Sequence, residues 1–405
     1  MTDSGRNGGG EQLSPETLSL LQTLVAFNTT SRLSNLELID FVYERLKTAG
    51  LDPYVDYNHD RSKANLYAII GPGNGGGVAL SGHSDVVAVE GQDWTRDPWT
   101  LTREDGLLYG RGTTDMKGFL AVVLAALPAM LEQPLREPIH LCISHDEEIG
   151  CVGVRSLLEY LAEQPTRPRS CIVGEPTSMD VVTAHKGKMG VRCHVKGRAC
   201  HSALAPYGVN AVHAAARVIG FLMDMAREKR EKGPFDGAYD VPHSTIHTGV
   251  IRGGTMMNIV PAECEFEFEF RNLPEEDPSV MLEAVQQFVK EKVEPELHTG
   301  EHGVAFHWEE LSHFAGLSSD ENDAVVKLVR RLRANDRIRK VGFGTEAGGF
   351  SRTGIQSVVC GPGSIRQAHT PDEYIEIGQL AECERFVGDL VQQCRSGFRA
   401  GLGNP

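Results

Sequence analysis

Residues 77–85, GVALSGHSD, set a short apolar run between a glycine turn and a polar pair, His83 and Asp85. Runs of this length bounded by turn residues read as strands buried on both faces. Four more share the pattern: NLYAII (65–70), PIHLCIS (138–144), SCIVGE (170–175) and SVVCGPG (357–363). Helical patterns separate them. Ser14-Pro15 supplies a cap and a first-turn proline ahead of SLLQTLVAF. Ser34 with Glu37 forms a capping box ahead of LIDFVYERLKTAG, which stops at Gly50. Buried strands alternating with helices predict an α/β fold, a mostly parallel sheet covered by helices on both sides.

The middle of the chain changes character. Between residues 186 and 311 the order reads strand (KMGVRCHVKG), helix (NAVHAAARVIGFLMDMA), strand (STIHTGVI), a strand from Ile259 to Arg271, helix (PSVMLEAVQQFVKEKV), strand (GVAFHWEE). That βαββαβ order is ferredoxin-like. Glu263, Glu265, Glu267 and Glu269 alternate with Cys264, Phe266, Phe268 and Phe270, so one face is carboxylates and the other apolar. An acidic run of this kind is a half-solvated strand rather than a metal site. An insert of this size divides the chain into a domain of 1–185 with 312–405 and a lid or dimerisation domain of 186–311. The Gly-rich first dozen residues read as flexible.

Chemistry-bearing residues gather at the strand ends. His83 and Asp85 follow GVALSG, Glu147 and Glu148 follow PIHLCIS, Glu175 closes SCIVGE, and His369 follows SVVCGPGS. Ligands of open α/β sheets bind at that carboxyl edge. Asp115 stands in the turn GRGTTD before the helix MKGFLAVVLAALPAM, where it could cap the helix or ligate a metal. Each residue alone is more often a cap or a hydrogen-bonding group, and their joint occurrence is the signal. The adjacent pair Glu147-Glu148, in extended chain, points one carboxylate at a metal and the other at a reacting water. Asp85, two residues from His83, is placed to accept a hydrogen bond from its far ring nitrogen. Two histidines and three carboxylates suit zinc, with cobalt or manganese as alternatives. Two cations plus a general base provide the Lewis acid, deprotonated water and proton carrier that amide hydrolysis needs.

Composition is compatible with that reading. At 405 residues and 40% hydrophobic content the chain holds a sizeable core and about two domains. A formal charge of −15 repels nucleic acid and anionic membrane, leaving a small polar substrate. MTDSGRNGGGEQ lacks the basic and apolar regions of a signal peptide, and the longest apolar run, 119–130, is too short to span a bilayer. Nine cysteines without a CxxC pair read as buried thiols, so a reducing cytoplasm is expected.

In order and spacing these motifs resemble the dinuclear zinc aminoacylase and carboxypeptidase (M20) family, in particular its acetylornithine deacetylase branch. GRGTTDMKGF, GEPTSMDVVTAHKGKMG, KGRACHSALAPYGVNAV, GTEAGGF and GPGSIRQAHTPDEY carry the resemblance, which covers nearly the whole chain after the first dozen residues. It implies a zinc-exopeptidase-like fold in which Asp115 bridges two metals. His83 and Glu175 complete one centre, Glu148 and His369 the other, and Glu147 is the general base. It implies a cis peptide after Asp115. It also implies a homodimer through the lid, with His201 reaching the partner's site to stabilise the oxyanion and Asn258 and Arg271 holding the substrate carboxylate. The implied reaction converts N2-acetyl-L-ornithine to L-ornithine and acetate, a step of arginine biosynthesis. Succinyl-diaminopimelate desuccinylases and broader N-acyl-amino-acid amidohydrolases or dipeptidases would keep the same metal set. Residues 342–354, GFGTEAGGFSRTG, are expected to wall the side-chain pocket, with Glu346 pairing with a terminal ammonium.

Overall fold

Ser14 caps the helix Pro15–Ala26, its hydroxyl accepting the Thr17 amide at 3.1 Å with Pro15 in the first turn. In the computed structural model, which describes residues 12–398 apart from 74, 298–302 and 334–336, the second helix, Leu36–Thr48, starts differently from the expected capping box. Ser34 Oγ accepts from Leu36 N, two residues on, and the cap position falls to Asn35. Asn35 turns inward instead, donating to Ala64 O and Ser84 Oγ at 2.8 Å each and so tying the helix to the sheet. The helix ends as expected: Gly50 takes φ +82°, and Gly50 N and Leu51 N bond to Lys47 O and Leu46 O. The Gly-rich segment 1–11 lies outside the described residues.

Two compact units result. One is built from the described residues up to 183, 319–339 and from 345 onward; the other from 184–318 and 340–344. The boundary falls beyond residue 311 because the strand Ala305–Phe314 pairs with Gly187–Lys196 along its whole length.

The first unit holds a mixed sheet. Ile139–Ser144, Val78–His83, Ser170–Pro176 and Gln356–Gly361 lie side by side and parallel. Ala64–Ile70 pairs antiparallel with Ile139–Ser144, and Tyr54–Tyr57 antiparallel with Ala64–Ile70. On the far side Val181–His185 meets Gln356–Gly361 antiparallel at Val182. The expected mostly parallel sheet is therefore parallel only in its middle four strands. Direction reverses across the short connections from Tyr57 to Ala64, Ile70 to Val78 and Pro176 to Val181, whereas the parallel strands after Val78–His83 each follow a helix. Every residue of Val78–His83, Ile139–Ser144 and Ser170–Pro176 is buried, as sandwiching between helices requires. The predicted long helix after Asp115 is two, Lys117–Ala125 and Leu127–Glu132, because Pro128 has no amide to continue the ladder. No helix of the described residues is long and apolar enough to cross a membrane. All nine cysteines are free thiols, buried except for the half-buried Cys200.

The second unit is a four-stranded antiparallel sheet in the order Thr245–Gly253, Glu263–Asn272, Gly187–Lys196, Ala305–Phe314, with the helices Ala211–Lys232 and Pro278–Phe288. The third strand begins at Glu263, not Ile259, because Pro261 lacks a donor and Val260 N bonds to Cys200 O. Phe266, Phe268 and Phe270 pack with Val191, Cys193, Val218 and Leu222 in its core. The alternating carboxylates face Lys188, Arg192 and His194 of the neighbouring strand.

Two parallel strands approach closely where Glu175 is displayed. A β-carbon on Gly361 would lie 1.9 Å from the Gly174 carbonyl oxygen. Gly361→Ala is expected to lower stability by about 1–3 kcal/mol in equilibrium urea unfolding. An unchanged midpoint would show that the strands have room to part.

Candidate metal centre

Each predicted ligand of the first unit arrives from a different segment. His83 ends its strand, Glu175 lies near the end of Ser170–Pro176, and Glu148 lies in the turn after Ile139–Ser144. Asp115 stands just before Lys117–Ala125, and His369 follows Gln356–Gly361. They converge into two groups of three that share Asp115. Donor atoms of His83, Asp115 and Glu175 lie within 4.8 Å of one another, and so do those of Asp115, Glu148 and His369. The two oxygens of Asp115 face opposite histidines: Oδ1 is 3.1 Å from His83 Nε2 and Oδ2 is 3.3 Å from His369 Nε2. His83 Nε2 stands 3.6 Å from Glu175 Oε1, and His369 Nε2 3.0 Å from Glu148 Oε2.

These separations bracket the roughly 3.4 Å that tetrahedral bonds of about 2.1 Å to zinc would set between ligands. Glu148 Oε1 is buried without a hydrogen-bond partner, an acceptor that a cation would satisfy. The residues fit a pair of divalent cations. His83, Asp115, Glu148 and Glu175 have side chains no more than 6% exposed, whereas the His369 side chain is 49% exposed and forms the open rim.

The electrostatics of these side chains show strain between like charges. Burial, with repulsion from Asp115, lifts Glu148 to about 7. Burial lifts Glu147 well above the carboxylate range, opposed by His83 and reinforced by Glu148, Glu346 and Asp115. Glu175 rises for the same reasons, burial and then Asp115 and Glu147. Hydrogen bonds to Asp115 and Glu148 raise His369 to about 10. Burial disfavours a charged His83, but Asp115 and Asp85 outweigh it and raise its pKa.

Asp85 works differently from the expectation. His83 Nδ1 lies 2.9 Å from the Asp85 main-chain carbonyl, and the carboxylate is further, at 3.5 Å. The carboxylate instead accepts from Ser31 Oγ at 2.7 Å and from the amides of Glu147 and Glu148 at 3.1 and 3.3 Å. It therefore fixes the turn that presents the glutamate pair. That turn is not extended chain: Asp146 has φ +55°, and Gly150 N and Cys151 N both bond to Glu147 O. Lys63 pairs with Asp146 beneath it. The peptide joining Asp115 to Met116 is cis.

Glu346 lies deeper than its glycine-rich context suggests. It is 2% exposed, accepts from Ser144 Oγ and has a buried, unpartnered Oε2, with burial lifting it to about 7. Tight packing of Ala347–Arg352, where Ala347, Gly348 and Phe350 are buried, draws it inward.

The remaining predicted residues lie in the second unit. His201 and Asn258 are neighbours there: His201 bridges to Ile259, and Ser202 N bonds to Asn258 O at 2.9 Å. His201 Nδ1 accepts the Ala203 amide at 3.1 Å, which leaves the exposed Nε2 to carry the proton. Arg271 Nε donates to Glu269 at 3.0 Å. Sequence reading missed Arg111 and Glu373, a buried pair 2.8 Å apart. Both lie inside quoted motifs, GRGTTD and HTPDE, whose polar context gave no signal of burial.

Residues 79–393 match the family model described as Peptidase family M20/M25/M40. The chain belongs to that family. It is a metal-dependent amidohydrolase and shares 36% identity over 366 residues, 88% of its length and 91% of the relative's, with an acetylornithine deacetylase of Shigella sonnei (strain Ss046). The fold matches an M20 family metallo-carboxypeptidase of Sulfolobus solfataricus with a TM-score of 0.75 at 18% identity, over 95% of this chain and all of that one. A dinuclear metal-binding M20 peptidase of Bacillus subtilis matches at TM-score 0.65 and 14% identity, over 94% of this chain and 98% of that one.

Raised histidine pKa values mean that cations must displace protons. At about pH 7, cation loading is expected to release protons, seen as buffer-dependent heats in titration calorimetry. Affinity should fall as pH is lowered from about 9 toward 6, since His369 is increasingly protonated below about 10. A pH-independent affinity would contradict the arrangement.

Proposed function

We propose that the chain deacetylates N2-acetyl-L-ornithine, giving L-ornithine and acetate. The observation that carries the chemistry is the shared Asp115 carboxylate between two histidine-carboxylate groups, beside a half-buried Glu147. The 36% identical relative supports the choice of substrate. His83, Asp115 and Glu175 would hold one divalent cation, and Asp115, Glu148 and His369 the other, zinc by donor type with cobalt as an alternative. Bound there, the cations would polarise the amide carbonyl and acidify a water.

Glu147 takes that water's proton and returns it to the departing α-amine. Its burial beside Glu148 favours the protonated form, which suits the donor half of the cycle. Asp85 keeps Glu147 in place through its amide. His201, its Nδ1 occupied by Ala203, offers Nε2–H to the oxyanion of a partner subunit's site. Arg271 and Asn258 hold the substrate carboxylate, Arg by paired N–H donors. The working form is then a homodimer in the cytoplasm, with a small N-acyl amino acid as its ligand.

Acetate release from N-acetyl-L-ornithine, set against cleavage of N-succinyl-diaminopimelate, tests the substrate with chelator-stripped protein before and after adding zinc or cobalt. Metal-dependent turnover of acetylornithine alone supports the proposal; turnover of the succinyl compound, or of neither, discards it. Glu147→Gln is expected to retain both cations and lose about 10²–10⁴-fold in kcat. Activity within about tenfold of the parent would remove the base assignment. Mixing inactive Glu147→Gln and His201→Ala proteins should restore roughly a quarter of parental activity, because half of the dimers carry one intact site. No recovery after subunit exchange would place His201 outside the partner's site.

A further inference from the structure

Glu373 is buried four residues after His369, and four donors converge on its carboxylate. Arg111 Nη1 and Gly112 N reach Oε2 at 2.8 and 2.9 Å; Thr114 N and Asp115 N reach Oε1 at 2.9 and 3.1 Å. The main chain follows the same path: Gly110 N bonds to Glu373 O, and Thr114 Oγ1 to Tyr374 O. The whole turn that displays Asp115 is thus moulded on one carboxylate.

Arg111 carries the connection onward. Its Nη2 donates to Gln92 Oε1, Nη1 reaches Thr370 O at 3.4 Å, and its guanidinium lies 4.9 Å from the centre of the Trp94 ring. Gln92 also accepts from Trp94 Nε1 and donates through Nε2 to the His369 main-chain carbonyl, both at 3.0 Å. Asp372 fastens the same loop to Thr95 and Arg96. His369 needs such support. Its backbone sits in the left-handed region at φ +60°, and half of its side chain is solvent-exposed, so neither regular structure nor packing fixes it. His83 and Glu175, by contrast, are held within buried strands.

We propose that Glu373, Arg111 and Gln92 form a strut that sets the distance from Asp115 to His369, and so controls the affinity of the Glu148/His369 centre more strongly than that of the His83/Glu175 centre, which shares Asp115 but not His369. The inference rests on the two-cation reading above. These are positioning residues, acting through the backbone of the ligands they hold.

Calorimetric zinc titration of chelator-stripped protein tests it, with His369→Ala marking which binding event belongs to the second centre. Gln92 is only half-buried, so Gln92→Ala should fold. It is expected to weaken the event that His369→Ala abolishes by about tenfold with the other event unchanged; Glu373→Gln, which also loosens the turn of the shared Asp115, is expected to weaken it by up to about a hundredfold with a smaller loss at the other event. Adding Gln92→Ala to His369→Ala should leave the remaining event as it was. Equal weakening of both events, or of neither, overturns the strut. A parent protein that binds no second cation overturns the two-cation reading itself, and the strut with it.

Discussion

Concentrating like charge out of water is the constraint on which this molecule depends. Asp115, Glu147, Glu148 and Glu175 occupy one cluster, with the imidazoles of His83 and His369 beside them. A carboxylate moved into such surroundings loses hydration that neighbouring carboxylates cannot replace, so it favours protons or cations. The upward shifts of Glu147, Glu148 and Glu175 express that balance. Cation binding is therefore part of the energetics of the native state as well as of the chemistry. The sheet edge, the left-handed turns and the moulded loop at Asp115 oppose the tendency of the cluster to spread apart.

Much of this arrangement was legible in the amino-acid sequence because its signals are local. Each metal-site residue sits at or just past an apolar run, so strand assignment alone brings His83, Glu148, Glu175 and His369 to one edge. The supports were not legible, because they join residues distant in sequence. Asp85 lies beside His83 in the chain, which suggested a side-chain partnership; its carboxylate in fact answers two amides more than sixty residues on. Glu346 shows the converse. A glycine-rich context suggests an exposed loop, yet burial of Phe350 and Ala347 pulls the glutamate inside.

The second unit was read more fully, since alternation determines both its faces. Phenylalanines at every other position force Glu263–Asn272 to bury one side, and a register slip of one residue would expose all of them. Lys188, Arg192 and His194 repeat the alternation on the adjoining strand and meet the glutamates opposite. Partly exposed pairs of this kind contribute only about 0.2–1 kcal/mol each. They tune an arrangement that the apolar face already specifies.

The parallel pairing of Ser170–Pro176 with Gln356–Gly361 joins segments 186 residues apart, at Ser170 and Gln356. Because the intervening chain includes all of the second unit, the sheet cannot close until that unit has left the ribosome. Through that interval the Ser170–Pro176 strand, which carries Glu175, presents an unpaired apolar edge. Loop closure of this length slows folding. Early collapse of the inserted unit on its own local contacts shortens the span to be closed, which gives the insertion a part in the order of assembly.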